Sequence, residues 1–325
     1  MQSRFSFSIL SQYRTQLMGI AALGILLCHM SGNGVQLPSI LNYIFGLGNF
    51  GVDLFLLLSG FSMFHSLKCF PKSESILCWY NRRFFRLLVP YLILSVPYWA
   101  YICILENASI TTFLYYVSTA VYWIEHRGAW FIALIILLYL LSPLLMRVCT
   151  GKRGKYYMLA LMVLASLPEL FIIDESYNIL HNILFALKRV PFFLLGFIVG
   201  RLEEEKIEIK TSLMLLLCVG SAISYKLLQL SGITIYWLLP IWALGVLIIC
   251  IPFISNISLF NKLFCFMGVI SLESYLTNIY IGDIFRRGDF FDFKLVGYIL
   301  VVLIGVLLSV VTNKLSTRII KSKYN

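Results

Sequence analysis

Gly51-Val-Asp-Leu-Phe-Leu-Leu-Leu-Ser-Gly-Phe61 is apolar at almost every position and forms the centre of a longer apolar window, residues 43–66. A run of this kind has neither the period-two alternation of a barrel strand nor the polar half of a soluble amphipathic helix. It reaches the ~20 residues that carry a helix across a bilayer core. Similar windows fall at 16–33, 86–105, 129–148, 156–173, 182–200, 211–227, 233–253, 264–285 and 295–314. The expected fold is all-α, a polytopic membrane protein built as a bundle of about ten transmembrane helices in a single domain over 1–325.

Composition agrees with the windows. Of 325 residues, 60% are hydrophobic and 13% charged, and the mean hydropathy is +0.88. This excludes a disordered chain, a disulfide-stapled secreted module and an ordinary cytosolic enzyme. The eight cysteines are scattered singly, with no C-x-x-C pair, so no metal site is expected. The first residues are polar, carry Arg4 and Arg14 and precede an apolar stretch without a small-residue cleavage signal, which reads as a retained first helix.

A net charge of +11 would suggest nucleic acid in a soluble protein. Here the basic residues follow the loops. Arg4, Arg14, Lys68, Lys72, the arginines at 82, 83 and 86, Arg147, Lys152, Arg201, Lys262 and Lys314 fall on the side of the N-terminus, while the opposite side holds Arg127, Arg286, Arg287 and Lys294. The positive-inside rule then places both termini in the cytoplasm and reads the excess as orientation, with no nucleic-acid partner.

Four places put polar groups where a lipid-facing helix has none. His29 ends the first window, and Asp53 lies inside the second at a similar depth. A carboxylate beside an imidazole makes a general-base pair, and a simple interhelical hydrogen bond is the alternative. Arg82, Arg83 and Arg86 crowd the start of the third window. Planar guanidinium forks suit phosphates, although a basic cluster at an inner helix end also serves as an anchor. Gly128-Ala-Trp-Phe131 places Trp130 at a helix start, a common interfacial position for tryptophan. Glu273 and Asn278 lie inside the 264–285 window. An intramembrane carboxylate suggests function, and Arg189, which precedes Pro191 in mid-window, is its expected partner.

In this order the features resemble the acyltransferase 3 family of bacterial inner-membrane O-acyltransferases. The most specific match is Gly51–Phe61, which looks like the family's Asp-x-Phe-Phe-x-x-Ser-Gly-Phe block. His29, Arg82-Arg-x-x-Arg with Pro90-Tyr91, Trp130-Phe131 with Tyr139 and Pro143, and Pro191-Phe-Phe-Leu-Leu-Gly196 fall where the family places similar blocks. Two positions depart from the pattern. The family's arginine eleven residues before the histidine is Met18 here, and Arg14, one turn earlier and within about 60° of the His29 face, is in place to substitute. The second is Asn278, where many members carry histidine.

The resemblance implies a multi-pass protein of the cell inner membrane, in transmembrane-only form. It implies acetyl-CoA or another short acyl-CoA as donor on the cytoplasmic side, and a cell-surface glycan or lipid-linked glycan as acceptor. On that reading His29 is the base and Asp53 its orienting group. The arginines at 82, 83, 86 and 14 hold the donor, and Ser59, Trp130, Arg189, Glu273 and Asn278 line the channel. A transporter or flippase of a lipid-linked glycan or acyl-donor carrier is the competing class. It predicts internal repeats, which the two halves of the chain do not display.

Overall fold

A computed structural model describes residues 4–71, 73–171, 179–233, 235–288 and 294–324. A strand β1 (Arg4–Ser6) and one turn of helix α1 (Ile9–Gln12) lead into α2 (Arg14–Gly32). Helix α3 (Ser39–Gly46) joins α4 (Phe50–Lys68) through a 3-10 turn at Leu47–Asn49, and the long α5 (Ile76–Leu105) is followed by two short helices, α6 (Ile110–Val117) and α7 (Ala120–Glu125). Next come α8 (Trp130–Thr150), α9 (Gly154–Phe171), α10 (Ile179–Leu187), α11 (Val190–Glu204) and a second strand, β2 (Glu208–Lys210). The chain continues through α12 (Thr211–Leu230), α13 (Leu238–Ser255), α14 (Ser258–Val269), α15 (Ser271–Gly288) and α16 (Lys294–Tyr324).

The protein is an all-α polytopic membrane protein. Among the described residues, eight stretches are long and apolar enough to cross a bilayer, and α14 with α15, bent by 72° at their junction, make a ninth if the pair is one span. The sequence expectation of about ten differs at the 156–173 window. That window falls on α9, where Lys155 in the first turn and Pro168-Glu169 in the last shorten the apolar stretch. Residues 172 and 173 of that window lie outside the described residues.

Helix α4 is the hub of the bundle. Apolar residues fall on all its sides, as in a helix surrounded by others, and thirteen of its nineteen residues are buried. Most of its contact is with α11, and two glycines let the backbones touch: a side chain on Gly60 would overlap the Phe193 carbonyl, and one on Gly196 would overlap the Leu57 carbonyl. Small residues at an interface let helices approach where no hydrophobic effect drives them together.

Polar contacts between elements show which ends of the helices lie together. β1 pairs antiparallel with β2, Arg4 opposite Lys210, and Ser11 Oγ donates to Glu203 at 2.9 Å. His65 Nε2 lies 2.7 Å from Glu203, and Lys323 Nζ lies 3.1 Å from Asn81 Oδ1. Both ends of the described chain therefore sit at one end of the bundle, called proximal below. The starts of α4 and α11 and the last turn of α2 lie at the opposite, distal end.

Candidate active site

His29 occupies the last turn of α2 and is only half-buried. Its Nδ1 is hydrogen-bonded to Asn278 Oδ1 of α15. Asn278 Nδ2 donates to the Tyr298 hydroxyl of α16 at 3.2 Å, and that hydroxyl donates in turn to the Leu26 carbonyl of α2. The relay settles the protonation pattern. The Tyr298 proton is committed to Leu26, so its oxygen must accept from the amide NH2. The amide oxygen then faces the ring and Nδ1 carries a proton, so in the neutral ring the lone pair is on Nε2. Asparagine oriented against a histidine is a known way to fix a catalytic imidazole.

This corrects the expected pairing of His29 with Asp53. Asp53 Oδ2 instead accepts from Arg189 Nη1 at 3.1 Å and from the Tyr236 hydroxyl at 2.9 Å. The reason is the α10–α11 break. Arg189 is the N-cap of α11, and because α11 lies along all of α4, this break brings the guanidinium against the first turn of α4. Asn49 completes the cradle, accepting from Arg189 Nη2 at 3.0 Å. Three rings, Trp130, Phe185 and Tyr236, stack around the guanidinium at 5.3, 5.7 and 5.0 Å. Side-chain exposure is 2% for Arg189 and 0% for Asp53, so the pair is sealed from solvent. It is not saturated: Asp53 Oδ1 and Arg189 Nε have no hydrogen-bond partner among the described residues.

The expected pairing of Glu273 with Arg189 is also replaced. Glu273, in the first turn of α15, accepts from Asn313 Nδ2 of α16 at 3.0 Å. It sits more than a turn proximal to Asn278 on the same helix, whereas Arg189 is distal, so the two lie at different depths.

The arginines at the proximal end divide into two groups. Arg82 turns outward, pairs with Glu74 and lies over Phe70, which removes it from the expected cluster. Arg14 Nε donates to Ser62 Oγ at 3.0 Å, and Arg83 Nε to Ser66 Oγ at 3.1 Å. Arg14, Arg83, Arg86 and the Tyr139 ring are electrostatic neighbours, and the Tyr139 hydroxyl faces Ser59. Among the described residues, none of Arg14, Arg83 and Arg86 takes part in an ion pair. Distal arginines behave otherwise, with Arg127 on Glu106 at 2.9 Å and Arg287 on Asp283 at 2.6 Å.

Ser59, Ser62 and Ser66 follow i, i+3, i+7 spacing, so they line one face of α4, and all three are half-exposed on a helix that is otherwise mostly buried. Only Ser59 is prominent in the sequence motif. The spacing of the other two was a legible signal for a polar wall, whereas Asn49, Tyr236 and Tyr298 carried none, because nothing in a single helix says which neighbour it meets. Among the described residues, no group of three or more His, Cys, Asp or Glu side chains is placed to hold a metal ion.

The geometry is that of a bundle enclosing an oriented imidazole at one depth and, among the described residues, positive charge without an ion-pair partner at another. Nothing matches this chain among curated proteins or among solved structures. The acyltransferase 3 family model, described as an acyltransferase domain, matches residues 16–314, a stretch that includes every residue of the relay and the ion pair together with Arg83 and Arg86, while Arg14 lies two residues ahead of it. The chain belongs to the acyltransferase 3 family and is a multi-pass membrane acyltransferase.

Proposed function

We propose that this protein is an inner-membrane O-acyltransferase of one domain, both termini cytoplasmic, that moves a short acyl group, acetyl first among them, from acyl-CoA to a hydroxyl of a cell-surface polysaccharide or related glycan. The observation that carries the reading is His29, held through Nδ1 by Asn278, in the same bundle as three arginines that have no acidic partner among the described residues. The charge asymmetry of the loops supports a cytoplasmic proximal end, the side where acyl-CoA is found.

Arg14, Arg83 and Arg86 then face the donor's phosphates, and the serine wall of α4 leads the thioester towards His29. His29 Nε2 takes the proton of the acceptor hydroxyl as its oxygen attacks the thioester carbonyl. The tetrahedral intermediate collapses with cleavage of the C–S bond, and the imidazolium returns the proton to the departing thiolate. A bundle interior that excludes water protects the thioester from hydrolysis and strengthens each oriented dipole. Asp53 and Arg189 act at one remove, fixing α4 against α11 and holding Trp130 as a wall.

The test is His29→Ala in cells lacking the wild-type gene. Mass spectrometry of the surface glycan should show the acetyl increment lost, while the variant remains inserted in the membrane. A stably inserted variant that still acylates the glycan fully would remove His29 from the mechanism.

A further inference from the structure

The α12–α13 hairpin meets the bundle through α13, which touches α2, α4 and α14, and leaves α12 standing off. Its ends are pinned, by β1 on β2 ahead of α12 and by α1 against α13, but only Thr211 and Cys218 of α12 are buried. Between the hairpin and α11 lies a cavity of about 350 Å³. Leu195 and Val199 of α11 form one wall, Leu217 of α12 and Ile241 of α13 the other; Phe5 closes the proximal end and Trp237 the distal one.

None of the described side chains that line the cavity is charged, and Ser221, its hydroxyl-bearing residue, already donates to the Cys218 carbonyl at 2.8 Å. One lining group is unspent: Trp237 Nε1, buried and without a hydrogen-bond partner among the described residues. An apolar cavity does not hold water, and this one is more than twice the ~150 Å³ that accommodates benzene. Its α11 wall runs from Phe192 to Leu202, about 15 Å by helix rise. That is half of the ~30 Å hydrocarbon core, the depth of one leaflet. The helices on both sides are candidate membrane spans, so the medium at the mouth is hydrocarbon.

We infer that the cavity holds one acyl chain of a membrane phospholipid of the proximal leaflet, its methyl end towards Trp237. The length matches a single chain: Leu202, at the proximal end of the wall, directly precedes the charged run Glu203–Lys206, so the wall runs from the bilayer surface towards its centre. The inference does not rest on the acyl-transfer reading. Its effect reaches the buried pair all the same: Tyr236 beside Trp237 bonds Asp53, and Leu57 of the cavity wall lies one turn beyond Asp53 on α4. The lipid fills the gap that would otherwise let the hairpin move relative to this centre.

Native mass spectrometry of the full-length protein, extracted from membranes in mild detergent, tests the assignment. One phospholipid mass per chain should survive washing that strips bulk lipid. Ile241→Trp, which fills the cavity, should lose it, while Leu216→Trp, on the outward face of α12 at 65% exposure, should keep it. Leu217→Phe is the milder filling variant should Ile241→Trp fail to fold, and should lower retention. Trp237→Phe keeps the apolar wall, removes only the donor, and should leave retention unchanged. Absence of retained lipid in the wild type, equal retention in the filled variants, or a retained mass belonging to a lipid-linked glycan would each overturn the assignment.

Discussion

Asp53–Arg189 and His29–Asn278 both join helices in the distal half of the bundle, yet they leave different things behind. The first is an ion pair sealed from solvent under three aromatic rings. The second has no ion pair, is half-open, and ends on an imidazole that an amide oxygen holds through Nδ1. A sealed charge pair cannot exchange protons with a substrate without first losing the contacts that make burial tolerable. An oriented neutral base can. On the proposed reading the contrast gives structure to one pair and chemistry to the other, and it can be broken at either.

The largest expected effect is on stability. Asp53→Ala leaves the Arg189 guanidinium buried with no counter-charge, which should cost roughly 3–5 kcal/mol of folding stability. Thermal unfolding in detergent should show a strongly destabilised protein, and the double variant Asp53→Leu with Arg189→Met should recover much of the loss. A variant as stable as wild type but without activity would reverse the assignment and make Asp53 part of the reaction. Asn278→Ala should do the opposite: a modest stability change, with activity reduced roughly 10- to 100-fold, because the base survives but its ring is no longer held with Nε2 forward. Retention of full activity there would show that the relay orients nothing that matters.

How much of this could be read from the sequence depends on whether a signal is local. His29, Asp53, Arg189 and Glu273 stand out because each places a costly polar group in an apolar run, and that cost is visible one helix at a time. Their partners are another matter. Asp53 meets Arg189 rather than His29 because α11 begins at a break inside what the hydropathy profile presents as one window, 182–200, and because glycines at 60 and 196 let α11 lie flat on α4. Neither the azimuth nor the crossing of two helices is written in either one alone. The same limit split the arginines: 82 and 83 are neighbours in sequence, but about 100° of rotation per residue sends Arg82 to Glu74 and Arg83 to Ser66.

The arginines give a smaller effect that extends the comparison to the proximal end. Arg83 has a hydroxyl where Arg189 has a carboxylate, so its charge is left for a ligand. Arg83→Gln should raise the apparent KM for acyl-CoA about tenfold, the order expected for one charge-assisted hydrogen bond to phosphate, with little change in kcat. Arg82→Gln, which breaks a pair with Glu74 instead, should leave KM nearly unchanged. Equal effects at the two positions would mean that the cluster marks orientation and not a donor site.

The smallest effect compares a buried ion pair with an exposed one. At the proximal end Glu205 accepts from Lys155 at 2.6 Å and from Arg201 at 2.8 Å, and these two hydrogen bonds hold its carboxyl below the ordinary glutamate range. Its folded pKa is depressed, so the stabilisation is fully present above the unfolded value and is lost as pH falls through the folded one. Because Lys155, Arg201 and Glu205 all stay accessible to solvent, screening limits the contribution to about 0.2–1 kcal/mol. Wild type and Glu205→Gln should therefore differ by a small melting-temperature shift at pH 7. The shift should shrink below about pH 4.5 and narrow further with added salt. A shift at pH 7 as large as that of Asp53→Ala would contradict the comparison, since it would mean that a carboxylate in contact with water matters as much as one sealed between helices.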